Sequence, residues 1–257
     1  MKVTILGSGS SGGVPRIGNL WGACDPNEPK NRRSRCSLLV QEGLSDELTS
    51  VLVDTSPDLR EQVLKADVKH IHGVLYTHDH ADQTHGIDDL RVAAYNQKAR
   101  IDVYADDQTQ KMLHTRFHYC FHQKEGSLYP PILTMHDMPE CGEPVSIDGA
   151  GGPVTAIPFL QDHGPMTSLG FRIGPVAYSS DVVGLPEESF DMLAGLDCWI
   201  VDALRYDPHP THAHLDLTLE WIERVKPKRA ILTNLHIDLD YQTLMDELPD
   251  HIEPAYD

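Results

Sequence analysis

Apolar residues recur along this chain in short blocks rather than long runs. The blocks at Lys2–Leu6, Cys36–Gln41, Val51–Asp54, Gly73–Thr77, Ile101–Tyr104, Val154–Phe159, Leu169–Ile173, Val176–Ser179, Cys198–Val201 and Ala230–Thr233 predict strands. Spacing of three and four predicts helices at Asp58–Lys65, Ile87–Tyr95, Gln108–Phe121, Glu187–Leu193, Leu217–Val225 and Tyr241–Leu248. Early strands cluster as hairpins and later ones alternate with helices. That order predicts an α/β domain with stacked sheets and helices outside. No linker, short repeat or low-complexity segment interrupts the pattern, so residues 1–257 read as one domain.

Two stretches fall outside the periodicity. Residues 7–35 are rich in Gly, Pro and Asn and turn basic at Lys30, Arg32, Arg33 and Arg35. Residues 117–152 are rich in His, Pro and Gly. Long irregular segments in a compact domain are often binding loops or lids. The 21 Lys and Arg against 39 Asp and Glu give a formal charge of −18, which argues against a nucleic-acid or anionic-membrane surface. A small anionic substrate stays compatible, because bound cations reverse the local sign. A second copy of the chain, as a homodimer, also stays open. No apolar run approaches the roughly 20 residues of a membrane span, and the first strand lacks the apolar core of a signal peptide. The five cysteines, Cys24, Cys36, Cys120, Cys141 and Cys198, form no C-x-x-C pair and no even framework, so a reduced, cytoplasmic setting is expected.

The chemistry concentrates where apolar blocks end. Gly73-Val74-Leu75-Tyr76 runs into Thr77-His78-Asp79-His80-Ala81-Asp82, with His85 beyond. Imidazoles and a carboxylate dropped together at a strand end are a ligand set for Zn²⁺ or Mn²⁺. Later strand ends add His163, Asp181 and His236. In this reading His78, His80 and His163 hold one ion, Asp82 and His236 hold a second, and Asp181 bridges the two. The stretch Gly7-Ser8-Gly9-Ser10-Ser11-Gly12 fits G-x-G-x-x-G after a strand, but Gly13-Val14-Pro15 follows where a dinucleotide site needs a helix.

The order of these residues resembles the metallo-β-lactamase superfamily of hydrolases. The opening Leu6-Gly7-Ser8-Gly9-Ser10-Ser11-Gly12-Gly13-Val14-Pro15 and the late His214-Leu215-Asp216-Leu217 resemble its phosphodiesterase branch, which includes phosphoribosyl 1,2-cyclic phosphate phosphodiesterase and, more distantly, ribonuclease Z. The resemblance covers essentially the whole chain. It implies an αββα four-layer sandwich, two divalent metal ions (Zn or Mn), and hydrolysis of a small cyclic or nucleotide-like phosphate ester by metal-bound hydroxide. It implies His214 as general acid, with His212 as the alternative, and Asp54 as a buried carboxylate that orients a metal-bound histidine.

Three departures accompany it. Gln83 stands where the family's H-x-H-x-D-H ends in His, so the second ion is expected to bind loosely or to be Mn²⁺, with His85 as a substitute ligand. Thr233-Asn234 replaces a late Thr-His, leaving His236 or Asn234 as ligand. Only Cys24 remains of the branch's early cysteine cluster, so no structural zinc is expected there. Rival readings are a thioesterase or lactonase of the same fold, and a metal-binding regulator without catalysis, which Gln83 and Asn234 favour.

Overall fold

The computed structural model describes residues 1–44 and 47–257. The chain divides into two compact units. The first comprises Met1–Leu6, Ser37–Pro139 and Val145–Thr155; the second comprises Gly7–Cys36, Glu140–Pro144 and Ala156–Asp257.

In the first unit, strands β1 (Lys2–Gly7), β2 (Ser37–Leu44), β3 (Glu47–Val53), β4 (Gly73–Leu75), β5 (Ile101–Ala105) and β6 (Leu133–Asp137) form a sheet in chain order. The helices are α1 (Leu59–Lys65), α2 (Ala81–Thr84), α3 (Leu90–Gln97), α4 (Asp107–Arg116) and α5 (His118–Phe121). β2 and β3 are antiparallel, with Leu39 opposite Leu52; β3, β4, β5 and β6 run parallel. Central strands buried on both faces need continuous apolar runs, and Val51, Leu52, Val53, Val74 and Leu75 are all fully buried. Their core also takes Leu59, Ile87, Leu90 and Leu113 from the flanking helical segments. The helix expected over 108–121 is broken at Phe117, whose φ of −128° leaves helical space. β6 was missed because it is short and follows Pro130-Pro131.

The second sheet runs β13-β12-β11-β10-β9-β8-β7. Its strands are β7 (Val145–Ile147), β8 (Val154–Asp162), β9 (Thr167–Ile173), β10 (Val176–Ser179), β11 (Cys198–Asp202), β12 (Arg229–Thr233) and β13 (Ile252–Pro254). Strands β10 to β13 are parallel, and β8, β9 and β10 are antiparallel neighbours. The helices are α6 (Glu187–Met192), α7 (Leu215–Val225) and α8 (Tyr241–Glu247). α7 buries Leu215, Thr218, Trp221 and Ile222, one face at helical spacing. A separate core gathers Trp199, Val201, Leu232, Trp221 and Leu244. β13 ends in Pro254, which an edge strand tolerates because it need not donate on its outer side. Among the described residues no helix is long and apolar enough to cross a membrane.

In both units the carboxyl ends of parallel strands carry the polar side chains singled out by the sequence, as expected for α/β sheets. Three of those ends use an Asp or Asn in the left-handed region: Asp54 (φ 63°) after β3, Asp181 (φ 53°) after β10 and Asn234 (φ 62°) after β12. These residue types adopt that conformation most readily after Gly.

Candidate metal centre

In the first unit the chain stays extended beyond β4 because the Tyr76 N–H donates to the Tyr104 carbonyl at 2.9 Å. The buried Asp54 carboxylate then accepts from both the Thr77 N–H and the Thr77 hydroxyl, each at 2.8 Å. With its proton given to Asp54, Thr77 Oγ1 faces His78 Nδ1 at 3.0 Å as an acceptor. The proton therefore sits on His78 Nδ1 and the lone pair on Nε2, the state a metal ligand needs. The Asp54 carboxylate thus reaches His78 through the Thr77 hydroxyl.

The His78 and His80 rings lie edge to face, 4.6 Å between centroids. His80 precedes α2, and its carbonyl accepts from the Thr84 hydroxyl at 2.8 Å. The turn packs tightly beyond α2: a Cβ on Gly86 would lie 2.0 Å from the Ser56 carbonyl oxygen. Asp82 is in the first turn of α2, and the Gln83 amide donates to its Oδ2 at 3.4 Å. Arg116 of α4 ties the loop down by donating to the Asp79 carbonyl at 2.5 Å. His85 is exposed, its ring edge-on to Phe117 at 5.5 Å.

In the second unit one donor atom each from His163, Asp181 and His212 lies within 4.8 Å of the other two. His163 follows β8 and gives its Nδ1 proton to the Thr211 carbonyl at 2.7 Å, which leaves Nε2 as the donor nitrogen. His212 Nε2 lies 4.0 Å from Asp181 Oδ1. Its Nδ1 lies 2.8 Å from Oδ2 of Asp202, the last residue of β11, and the Asn234 amide is 3.3 Å from the same nitrogen. Burial pushes the Asp202 carboxyl up to about 6, with the His212 ring pulling the other way. The sequence reading missed Asp202, whose one signal was a carboxylate closing the apolar run Trp199-Ile200-Val201.

His236 and His214 take other places. His236 Nε2 accepts from Arg16, and Nδ1 lies 2.7 Å from the Asp238 carboxylate without a hydrogen bond. Burial and the Arg16 charge push the His236 imidazole below its usual range. His214 is the half-buried residue before α7, and its carbonyl accepts from the Thr218 N–H. Arg33, one of the sequence's basic cluster, is interior, donating to the Leu239 carbonyl at 2.7 Å and to Asn31.

The sequence model described as "Beta-lactamase superfamily domain" matches residues 49–237, from β3 to just beyond Asn234 and His236. The chain belongs to the beta-lactamase superfamily. Its fold is that of the metallo-β-lactamases, and it shares 35% identity with a crystal structure described as a new diphosphatase from the PhnP family. That match has a TM-score of 0.86 and covers 99% of this chain and 94% of the other. Human tRNase Z, short form (ELAC1), matches with a TM-score of 0.65 at 16% identity over 100% and 97% of the two chains, a likeness of fold. A curated octanoyltransferase from Porphyromonas gingivalis (strain ATCC BAA-308 / W83) is 30% identical over 262 residues, covering 100% of this chain and 50% of that protein. The chain thus spans about half the length of the curated relative it matches.

The donor chemistry fits the metals this superfamily implies. Buried imidazoles whose second nitrogen is already committed, beside a buried carboxylate, suit a divalent ion and little else.

Proposed function

We propose that the protein is a phosphodiesterase acting on a small phosphate ester with two divalent ions, Zn or Mn. His78, His80, Asp82, His163 and Asp181 are the residues that would hold the ions. Gln83 and Asn234 offer only amide oxygens where the family pattern has imidazole, so the second ion binds more weakly. The hydrogen bond from Arg16 to His236 Nε2, and the exposure of His85, argue against using either as a ligand. When bound, the ions supply Lewis acidity and lower the pKa of water toward about 7.

The observation that carries this reading is the His212–Asp202 pair at 2.8 Å beside the donor set. A carboxylate on Nδ1 fixes the ring and stabilises its protonated form, so Nε2 can deliver a proton to the departing ester oxygen. The family resemblance implies that role for His214, with His212 as the alternative, and the geometry favours His212. Water adds to phosphorus and releases a proton to solvent, the phosphorus–ester oxygen bond breaks, and the leaving alkoxide takes the Nε2 proton.

The test is a panel of alkyl and nitrophenyl phosphodiesters, phosphomonoesters, thioesters and lactones with Mn²⁺ or Zn²⁺. Phosphodiester turnover supports the reading. His212→Ala should slow an alkyl diester by about 10²–10⁴-fold and spare a nitrophenyl ester, whose leaving group hardly needs a proton. The same selective loss in His214→Ala would return the role to His214. Turnover confined to thioesters would favour acyl chemistry, the reading to which the octanoyltransferase name of the curated relative points.

A further inference from the structure

Four arginines of this acidic chain hold a carboxylate: Arg60 with Glu61, Arg91 with Asp88, Arg224 with Glu187 and Arg229 with Glu253. Half-buried Arg172 instead spends its guanidinium on three backbone carbonyls, and half-buried Arg16 and Arg205 of the second unit are less fully engaged. Among the described residues, no carboxylate lies within ion-pair distance of Arg16 or Arg205. Arg16 donates to an imidazole, His236 Nε2. Arg205 donates to two backbone carbonyls, those of Asp207 at 3.1 Å and Pro208 at 2.9 Å. In a chain of net charge −18, two half-buried cations without a counter-charge are costly unless an anion arrives.

The two are also held in place. Reciprocal backbone hydrogen bonds between Arg16 and Leu20 close a tight hairpin, at 2.9 and 3.2 Å. The Arg16 side chain lies across Gly12, where a Cβ would sit 3.0 Å from its Nε. Because a guanidinium only donates, His236 Nε2 is the acceptor for Arg16, and the ring proton lies on Nδ1, 2.7 Å from the Asp238 carboxylate. The His236 N–H donates to the Leu204 carbonyl at 2.9 Å, so His236 is anchored beside Arg205. The loop carried by Arg205 leads to His209, whose ring is 5.2 Å from that of His212. His236 thus ties Arg16 to the backbone just before Arg205, and the loop after Arg205 leads through His209 to His212, one of the His163, Asp181 and His212 donors. A guanidinium fork held in this way is suited to an oxyanion.

We propose that Arg16, carried on His236, and Arg205 form an oxyanion-recognition position beside the donor cluster, and that it seats an anionic arm of the substrate rather than the phosphoryl group under attack. The identity of the substrate rests on the phosphodiesterase reading; the anion position does not. Arg16 is then a specificity residue, and His236 with Asp238 positions it.

Two measurements on the metal-loaded protein test this. In the first, inorganic phosphate is titrated while the arginine Nε–H resonances and the heat of binding are followed. The Arg16 and Arg205 signals should shift and saturate, and Arg16→Met should weaken phosphate by about 10–100-fold, the factor a charge-assisted hydrogen bond carries. Unmoved arginine signals, or equal affinity in Arg16→Met, overturn the proposal. In the second, three nitrophenyl phosphodiesters share a scissile bond and differ in the other arm: ethyl, carboxylate-terminated or phosphate-terminated. Arg16→Met should raise KM about 10–100-fold for the charged arms at nearly constant kcat, and leave the ethyl ester within about twofold. Arg16→Lys, which keeps the charge without the fork, should fall between, and the larger loss identifies the preferred arm. Equal KM increases on all three esters overturn the proposal, because Arg16 would then touch the scissile group. If the wild type cleaves none of them, the phosphodiesterase reading fails and the phosphate titration alone decides the anion position.

Discussion

Replacing Asp202 by Asn separates what this carboxylate costs the fold from what it does for His212. Asp202 is fully buried, and burial raises its pKa from 3.8 to about 6. A difference of about two units corresponds to roughly 3 kcal/mol for holding the group ionised. Because the folded state binds this proton more tightly than the unfolded state, the contribution to stability is greatest below about pH 4. It declines as pH rises toward about 6, and above that the full cost is present. Asn removes the charge and keeps an acceptor for His212 Nδ1–H and the Val182 N–H. It also places an amide N–H near the Oδ1 position, which has no hydrogen-bond partner, at a cost of about 1–3 kcal/mol. Urea unfolding of metal-free protein at pH 7.5 should therefore find Asp202→Asn about 0–2 kcal/mol more stable than wild type, and about 1–3 kcal/mol less stable near pH 4, where only the amide cost remains. On the metal-loaded enzyme the variant should slow an alkyl phosphodiester by about 10²–10⁴-fold and spare a nitrophenyl ester. A variant destabilised by more than about 2 kcal/mol at every pH would refute the buried-charge reasoning. Equal losses on both esters would refute the proton-donor role.

The remaining predictions address the metals and the loop that holds them. Thr77→Val cuts the link from Asp54 to His78 and should weaken metal binding by about 10–100-fold in a chelator competition; unchanged affinity would mean the His78 tautomer is fixed by other means. Asp181→Ala should lose metal and activity together, read by elemental analysis beside turnover. Metal titration of wild type should resolve one tight and one weaker ion, and Gln83→His with Asn234→His should tighten the weaker; two equal sites in wild type would contradict the role given to the two amides. Gly86→Ala forces a Cβ toward the Ser56 carbonyl and should cost about 1–3 kcal/mol, seen as a lower Tm.

The parallel strands were legible because a strand buried on both faces has to be written as an unbroken apolar run, and Val51-Leu52-Val53 or Trp199-Ile200-Val201 fit little else. Edge strands such as β6 and β13 were not legible, since one exposed side lets polar residues and proline in. The histidine loop stood out because its residues adjoin in sequence. Asp202 and Arg16 did not, nor did the proposed role of His212, because each depends on a partner brought in by folding: the Asp202 carboxylate meets a ring ten residues on, and Arg16 meets His236 across 220 positions. A hydrogen bond of that separation leaves no periodic trace. The same limit hid the fate of Arg33, which reads as a solvated basic turn and is interior.

Asp54, Asp181 and Asn234 turn left-handed within two residues of a strand's last paired position. Each side chain is consequently registered to the sheet and not to the loop that follows. Insertions or deletions beyond these three points can lengthen or reshape the rim without moving the residues. Substrate range and metal placement are then separable traits, and loop exchange beyond Asp54, Asp181 or Asn234 is the natural route to a new substrate on this scaffold.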